Sequence, residues 1–397
     1  MLDAVAAARA ALSSFALASG AFTFLFASAT AVLARRFLDS RKRPAPVSLP
    51  PITVIKPLKG DEAALYENLA SFCRQDYPRF QILFCLSCAD DPALTTVSRL
   101  KRDFPDVDLE VVVSTGRIGC NPKVNNMANA YPFAKYDLLL MSDSDIRAEP
   151  GFLRRMVAPF EDPTVGLTTS LYQASGARGV WGLMESLSIN ANFLPQASSA
   201  AVFGMRFSMG AAMMVRRRTF ELTGGFRNLA DHLADDFWLG ESVRAAGWRI
   251  EIAEDCVDSI PGIDNGLEHL NHLIRWARTI RLCQPAGFYA SLIAHGFSLL
   301  TLRLAAVGPD AIGLWLLAGI WAAKASASRV IDARLGRRQP RRALWLMPLA
   351  EWFSFLAWFG GIVSNTVLWR GELFIVAPRG RLRPMPPLLT RVLSVEP

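Results

Sequence analysis

The stretch Tyr136-Asp137-Leu138-Leu139-Leu140-Met141-Ser142-Asp143-Ser144-Asp145-Ile146 decides the fold. Three leucines and a methionine in an unbroken row suit a strand buried on both faces, as inside a parallel sheet. The row stops at Asp143-Ser144-Asp145. Two carboxylates one residue apart, at the exit of a buried strand, can project toward one small volume. Such a pair suits a hard divalent cation that also holds phosphate oxygens. The competing explanation is a helix cap ahead of Glu149-Pro150.

On either side of this stretch, signals alternate. Strands are expected at 52–56, 80–87, 109–114, 138–141 and 165–171, with a helix at 61–74 whose Leu65, Leu69 and Phe72 share a face. Strands alternating with helices imply an α/β domain with a mostly parallel sheet covered on both faces. Ligands in such sheets bind beyond the carboxyl ends of the strands. Asp143 and Asp145 sit at such an end, as do Pro57-Leu58-Lys59-Gly60 and Asp90-Asp91. The run 204–217 reads as a strand or hairpin beneath an acceptor site, 235–246 as a helix with acidic residues at its start, and 249–253 as a short strand.

The ends of the chain read differently. The chain has 397 residues, of which 51% are hydrophobic, which points to partial membrane burial. Residues 12–34 form an apolar run long enough to span a bilayer, followed rather than preceded by positive charge, so an anchor is expected instead of a cleaved leader. Further apolar runs lie at 288–306, 310–326 and 343–369. The formal charge of +8 is concentrated beside these runs, at Arg35, Arg36, Arg41, Lys42, Arg43 and again at Arg337, Arg338, Arg341, Arg342. That pattern fits the positive-inside rule and anionic lipid, not nucleic acid, because no basic stretch is interleaved with stacking aromatics. Helix 267–282 is amphipathic, with Leu270, Leu273, Ile274, Ala277 and Ile280 on one side, and suits a membrane interface. Pro348 and the charge of Arg379, Arg381 and Arg383 favour a re-entrant last segment. The expected division is an anchor with basic flank at 1–40, a catalytic domain at 41–285, and membrane segments with a basic tail at 286–397.

Other residues carry chemistry on weaker signals. Asp91 can accept from a nucleotide base or ribose, or serve as a turn before Pro92. Asp236 opens a helix, where a carboxylate is a routine cap, yet transfer to an alcohol needs a general base of this kind. Lys123, in Gly119-Cys120-Asn121-Pro122-Lys123-Val124-Asn125-Asn126, either reaches phosphate or ribose or belongs to a capped surface turn. Lys56 and Lys59 near Gly60 read similarly. Arg275 can stabilise a developing anion and Trp276 offers a flat apolar face; an interfacial Arg-Trp pair is the alternative. Cys85 and Cys88 have the spacing of half a zinc site with nothing to complete it, and read as small thiols in a reducing compartment. His269 and His272, three apart on a helix, lack an evident third ligand.

Taken together, Pro57-Leu58-Lys59-Gly60, QDYP at 75–78, ADDP at 89–92, GCNPKVNN at 119–126, DSDI at 143–146, ADDFWLGESVRAAGWR at 234–249 and HLIRW at 272–276 resemble the ceramide glucosyltransferases, over about residues 50–285. The resemblance implies a GT-A fold, a UDP-sugar donor, Mg or Mn, and inversion at the anomeric carbon. It implies Asp91 at the nucleotide, Asp143 with Asp145 at the metal diphosphate, Asp236 as base, and Arg275 and Trp276 at donor phosphate and acceptor; Lys59 and Lys123 are expected on the donor side from their own setting, and His272 from its place in the last motif. His272 stands where the family has Gln or Arg. The Ala- and Arg-rich composition is similar to bacterial, hopanoid-associated members. The expectation is therefore a multi-pass protein of a bacterial inner membrane. Its cytoplasmic domain would move glucose from UDP-glucose, or N-acetylglucosamine from UDP-N-acetylglucosamine, onto a hopanoid polyol or ceramide. The rival readings are a processive polysaccharide synthase and a non-catalytic lipid-binding protein.

Overall fold

The computed structural model describes residues 2–385 except 41–42, 63, 337–339 and 370–371, so the charges of Arg41, Lys42, Arg337 and Arg338 lie outside the described residues. The chain forms two compact units that interleave along the sequence. One comprises 41–177, 205–262 and 366–397; the other comprises 1–40, 178–204 and 263–365.

The first unit is built on an eight-stranded sheet. Its strands are β1 (Ile52–Pro57), β2 (Phe80–Leu86), β3 (Asp108–Val113), β4 (Leu138–Ser142), β5 (Ile146–Arg147), β6 (Val165–Ala174), β7 (Ala212–Arg216) and β8 (Arg249–Ser259), in the order β3-β2-β1-β4-β7-β6-β8-β5. The pairs β3–β2, β2–β1, β1–β4 and β6–β8 are parallel, while β7 runs antiparallel to both β4 and β6, and β5 to β8. The sheet is mostly parallel, as the sequence implies. Every residue of β1 and β4 is buried, which is why both strands lack an alternating pattern. One apolar cluster, with Leu69, Phe72, Phe84, Leu140 and Phe152, covers one face; another, with Met127, Leu139, Met213 and Phe220, covers the other. The 204–217 run contributes one strand rather than a hairpin, and β8 extends six residues past the expected end at Ala253.

The final apolar run departs most from expectation. Its helix ends at Val363, and the chain continues as a three-stranded antiparallel sheet, β9 (Thr366–Trp369), β10 (Glu372–Ala377) and β11 (Arg381–Pro384), within the sheet-bearing unit. Leu233 N–H donates to the Gly380 carbonyl (2.9 Å), and Leu382 N–H to that of Asp231 (2.6 Å). The small sheet thus braces the loop that leads into Asp235 and Asp236.

The second unit is helical. Among the described residues three helices, at Ala4–Ser40, Ala311–Arg334 and Arg342–Val363, are long and apolar enough to cross a membrane. A bent pair, Pro285–Ala294 and Gly296–Val307, makes a fourth if counted as one span. The bend of 50° therefore falls in the first C-terminal run, where a re-entrant shape was expected of the last. Pro348 occupies the first turn of its helix, where its missing N–H costs nothing and no kink follows. Beside the break the packing is tight: a Cβ at Gly296 would collide with the Ser19 carbonyl, and one at Gly20 with Leu300. Small residues let these helices approach closely.

Val376, Phe374 and Leu382 are buried in the small sheet. Val376→Asp would bury an unpaired charge, at a cost of roughly 3 kcal/mol or more. The expected outcome is a clear fall in melting temperature of the detergent-solubilised protein, with activity lost in parallel.

Candidate active site

The site begins at Lys56, at the carboxyl end of β1. Its side chain is fully buried, with Nζ 3.6 Å from the centre of the Phe72 ring. It donates to Ser142 Oγ (3.1 Å) and to the Asp143 carbonyl (2.7 Å), pinning the end of β4 to that of β1. Burial brings its ammonium down to about 7, against the pull of the Asp145, Asp143 and Glu62 carboxylates. Beyond β4 the chain turns, and the Asp145 carboxylate accepts from Ser259 Oγ at the end of β8 (2.7 Å). Desolvation, then the charges of Asp143 and Glu62, hold the Asp145 carboxyl up at about 6.

A second group of charges meets the first. Asn121 caps the helix Pro122–Ala130 by accepting from Val124 N–H (3.0 Å), and Pro122 fits its first turn. Asn125 accepts from the N–H groups of Ile118 and Gly119, closing the preceding loop. The asparagines therefore serve the turn, as one sequence alternative held, while Lys123 does not lie on an open surface. Its Nζ lies 2.7 Å from Asp143 Oδ1 and 3.3 Å from Asp235 Oδ2. Burial opposes its charge, yet the carboxylates of Asp143, Asp235 and Asp236 hold it protonated well above the usual lysine range.

Asp235 and Asp236 open the helix Asp235–Ala245, but their surroundings differ. Asp235 is buried, and desolvation with the charges of Asp236 and Asp143 lifts its carboxyl to about 6 despite Lys123. Asp236 is partly exposed; its Oδ2 accepts from Gly210 N–H (2.8 Å) and its Oδ1 from Phe237 N–H (2.7 Å). A Cβ on Gly210 would lie 3.3 Å from Asp236 Oδ2 and 3.4 Å from both Asp143 Oδ2 and Lys123 Nζ. One glycine thus marks the point where Asp143, Asp236 and Lys123 converge. Sequence reading grouped the acidic residues but not Gly210, whose only signal is a small residue ahead of a buried strand.

Next to this cluster is an open pocket of about 590 Å³, at the carboxyl ends of β1–β3, whose walls include Lys59, Ser87, Arg117, Lys123, Asn126 and Glu372. Asp91 acts first on the loops around it: its Oδ1 accepts from Gly60 N–H and Ala93 N–H, both 2.9 Å away. It thereby ties the Pro57–Gly60 loop to the start of the next helix. Cys85 is buried in β2, whereas Cys88 is exposed, so the two do not form a shared face.

His272, Arg275 and Trp276 lie in the helical unit, on the helix Gly266–Cys283. His272 meets Trp276 edge-on at 4.7 Å between ring centres, and Trp276 leans on Phe193 at 6.4 Å. The apolar side expected of this helix is divided: Leu273 is buried, Ile274 and Ala277 pack on Gly360 and Gly361, and Ile280 is exposed. Beneath the motif lies Glu185, which the sequence reading passed over. Its carboxylate is 2.9 Å from His269 Nδ1 and 3.2 Å from His272 Nδ1, and its side chain is 3% exposed. Burial alone would push this carboxyl up, but the two imidazoles outweigh it and bring it down to about 2. The one available signal was a lone carboxylate in the apolar run Val180-Trp181-Gly182-Leu183-Met184-Glu185.

The donor sets bear on a metal. Among the described residues no three His, Cys, Asp or Glu side chains converge on a common cation position, and that includes Glu185 with its histidines. Asp143 and Asp145 offer only hard oxygens. One or two carboxylates, with water and phosphate filling the other positions, is how magnesium is usually held. The pair fits Mg or Mn on that basis and does not fit zinc.

Residues 14–382 match the profile of Glycosyl transferase family 21. Ceramide glucosyltransferase 3 of Caenorhabditis elegans is 25% identical over 353 residues, spanning 85% of this chain and 75% of that protein. Ceramide glucosyltransferase 1 of the same organism is 27% identical over 247 residues, 61% of this chain and 52% of the relative. The ceramide glucosyltransferase of Gibberella zeae is 32% identical over 181 residues, but the match spans only 33% of its length. Among solved structures, the mannosyltransferase PcManGT from Pyrobaculum calidifontis, in complex with GDP-Man and Mn2+, has a TM-score of 0.51 at 19% identity, over 91% of this chain and 100% of that one. That likeness shows a GT-A-like fold and nothing finer. With the profile covering nearly the whole chain and the fold agreeing, this membrane protein belongs to Glycosyl transferase family 21.

Proposed function

We propose that the protein transfers glucose or N-acetylglucosamine from a UDP-sugar to a hydroxyl of a membrane lipid, a ceramide or a hopanoid polyol, with inversion at the anomeric carbon. The carrying observation is the convergence of Asp143, Asp236 and Lys123 around Gly210, next to the pocket at the strand ends. The setting is a bacterial inner membrane with the sheet-bearing unit on the cytoplasmic side, a reading supported by the arginines that flank the apolar runs.

In this reading Asp236 takes the proton of the acceptor hydroxyl as its oxygen attacks the anomeric carbon and the bond to the diphosphate breaks, releasing UDP. Asp236 suits that role better than Asp235 because it is partly exposed, while Asp235 is buried against Lys123. The Gly210 N–H bond fixes the direction of the Asp236 carboxylate. Lys59 and Lys123 supply positive charge on the donor side, and Asp91 positions the loop beneath the nucleotide. Asp143 and Asp145 are the residues that would hold Mg or Mn, which supplies charge to the diphosphate leaving group. Arg275, Trp276 and His272 act on the donor phosphate and acceptor, a role supported by the HLIRW motif.

Three outcomes are expected in transfer assays with UDP-glucose or UDP-N-acetylglucosamine and a lipid acceptor in purified membranes. Asp236→Asn lowers kcat by roughly 10²–10⁴-fold with donor KM little changed, as for loss of a general base; unchanged kcat would remove Asp236 from that role. EDTA abolishes transfer and added Mg or Mn restores it, whereas activity that survives chelation would argue against the pair as a cation site. Glu185→Gln raises donor KM by about 10–100-fold, corresponding to about 1.5–3 kcal/mol for one charge-assisted hydrogen bond. A fall in melting temperature with no change in KM would instead assign Glu185 a structural role.

A further inference from the structure

The helical unit has an open-mouthed cleft of about 350 Å³, mouth included, whose wall is apolar at Phe26, Ala27, Ala191, Pro195, Ala294 and Ala327. Thr23 and Thr30 of the N-terminal helix line it, with Asn192, Gln196 and Lys324. The walls all belong to this one unit. Lys324 lies in the candidate span Ala311–Arg334, and its partner Glu351 in the span Arg342–Val363. Lys324 Nζ is 2.6 Å from Glu351 Oε1 and 2.8 Å from Asn192 Oδ1, and the two charged side chains are 13% and 7% exposed. An ionisable pair at such a place is costly to bury and marks a functional site more often than a structural one.

The local backbone is also unusual. Asn192 sits in a π-helical stretch, Ser188–Phe193, between the helices Gly179–Leu187 and Leu194–Val202. Such wide turns are rare and recur at binding sites. Here the turn carries the residue that meets Lys324.

The hydrogen-bonding groups define the occupant. An ammonium has three donors, and Asn192 and Glu351 account for two of those on Lys324. Asn192 spends its oxygen on Lys324, leaving its amide NH₂ as a donor. Thr30 Oγ donates to the Ala27 carbonyl (3.0 Å) and so presents lone pairs to an occupant, whereas Thr23 Oγ both donates to the Ile293 carbonyl (3.3 Å) and accepts from Gly296 N–H (3.1 Å). Gln196, exposed at the wall, offers both kinds of group. The Lys324 charge is balanced by Glu351, so no net positive charge awaits a phosphate. An anionic head would enter as an uncompensated charge, whereas hydroxyls and amides match donors and acceptors alike.

We propose that this cavity receives the hydroxyl- or amide-bearing head of a neutral membrane lipid, and that it is the seat on which the acceptor is selected. The second clause rests on the transfer reaction proposed above.

The test is lipid retention by the full-length protein in native mass spectrometry, with a short-chain ceramide and a polyhydroxylated hopanoid as neutral probes and phosphatidylglycerol as the anionic one. The parent is expected to retain a neutral probe in preference to phosphatidylglycerol. Gln196→Leu removes polar groups at an exposed position, and Ala27→Leu fills space in the wall. Each is expected to weaken neutral-probe retention roughly tenfold, about the worth of a hydrogen bond or two, with UDP binding unchanged. The double variant Lys324→Met with Glu351→Met removes both charges together, so that none is stranded, and is expected to lose retention as well. Retention equal to the parent in all three variants, or preference for phosphatidylglycerol, would overturn the proposal. A parent that retains neutral lipid in the cavity but glycosylates none upholds the lipid site and sinks the transfer reaction.

Discussion

A buried ammonium holds the catalytic end of the sheet in shape. Lys56 sits under the Asp143–Asp145 turn with no exposure, against the face of Phe72, and bonds to the last residues of β4. An isolated lysine in that position would be too costly to keep. Three carboxylates nearby, Asp145, Asp143 and Glu62, make it tolerable, and the lysine makes their mutual repulsion tolerable in return. Each side of this arrangement requires the other. The turn after β4 cannot relax without uncovering the lysine, and so the two aspartates are held at the carboxyl end of an interior strand.

The same logic separates the two aspartates at the start of the helix Asp235–Ala245. They are adjacent in sequence and identical in chemistry, yet Asp235 is buried against Lys123 and Asp236 is open to an incoming group. Neighbouring carboxylates take different roles when their surroundings push them apart. Lys123 draws the division: it bridges Asp143 and Asp235 and leaves Asp236 to the Gly210 N–H. The glycine leaves room between them, since a Cβ there would come within 3.3–3.4 Å of all three charged groups.

The sheet was legible because β4 is buried on both faces and opens as an unbroken apolar run, while β1 is apolar apart from Thr53 and Lys56. The acidic positions were legible because each follows a strand or opens a helix. The pairings were not. Lys123 is 20 residues from Asp143 and 112 from Asp235, and nothing local in sequence couples them. The C-terminal sheet was missed for a plain reason: Val367-Leu368-Trp369 continues the apolar run of the preceding helix, and hydropathy does not distinguish a span from an edge strand. Pro348 misled in the opposite direction, since a proline in the first turn of a helix and one in its middle look alike until the start of the helix is known.

His272 departs from the motif that the sequence resembles, and it does so beside a buried carboxylate. The family position carries Gln or Arg, both of which donate hydrogen bonds unaided. A neutral imidazole donates through one nitrogen only. In this chain Glu185 lies 3.2 Å from His272 Nδ1, which favours the tautomer with its proton there. Nε2 is then the nitrogen left to a ligand. His269 is fully buried, with its Nδ1 2.9 Å from the other oxygen of Glu185. In the reading proposed above, the short contact between Glu185 and His272 is what would let an imidazole serve where Gln or Arg is expected.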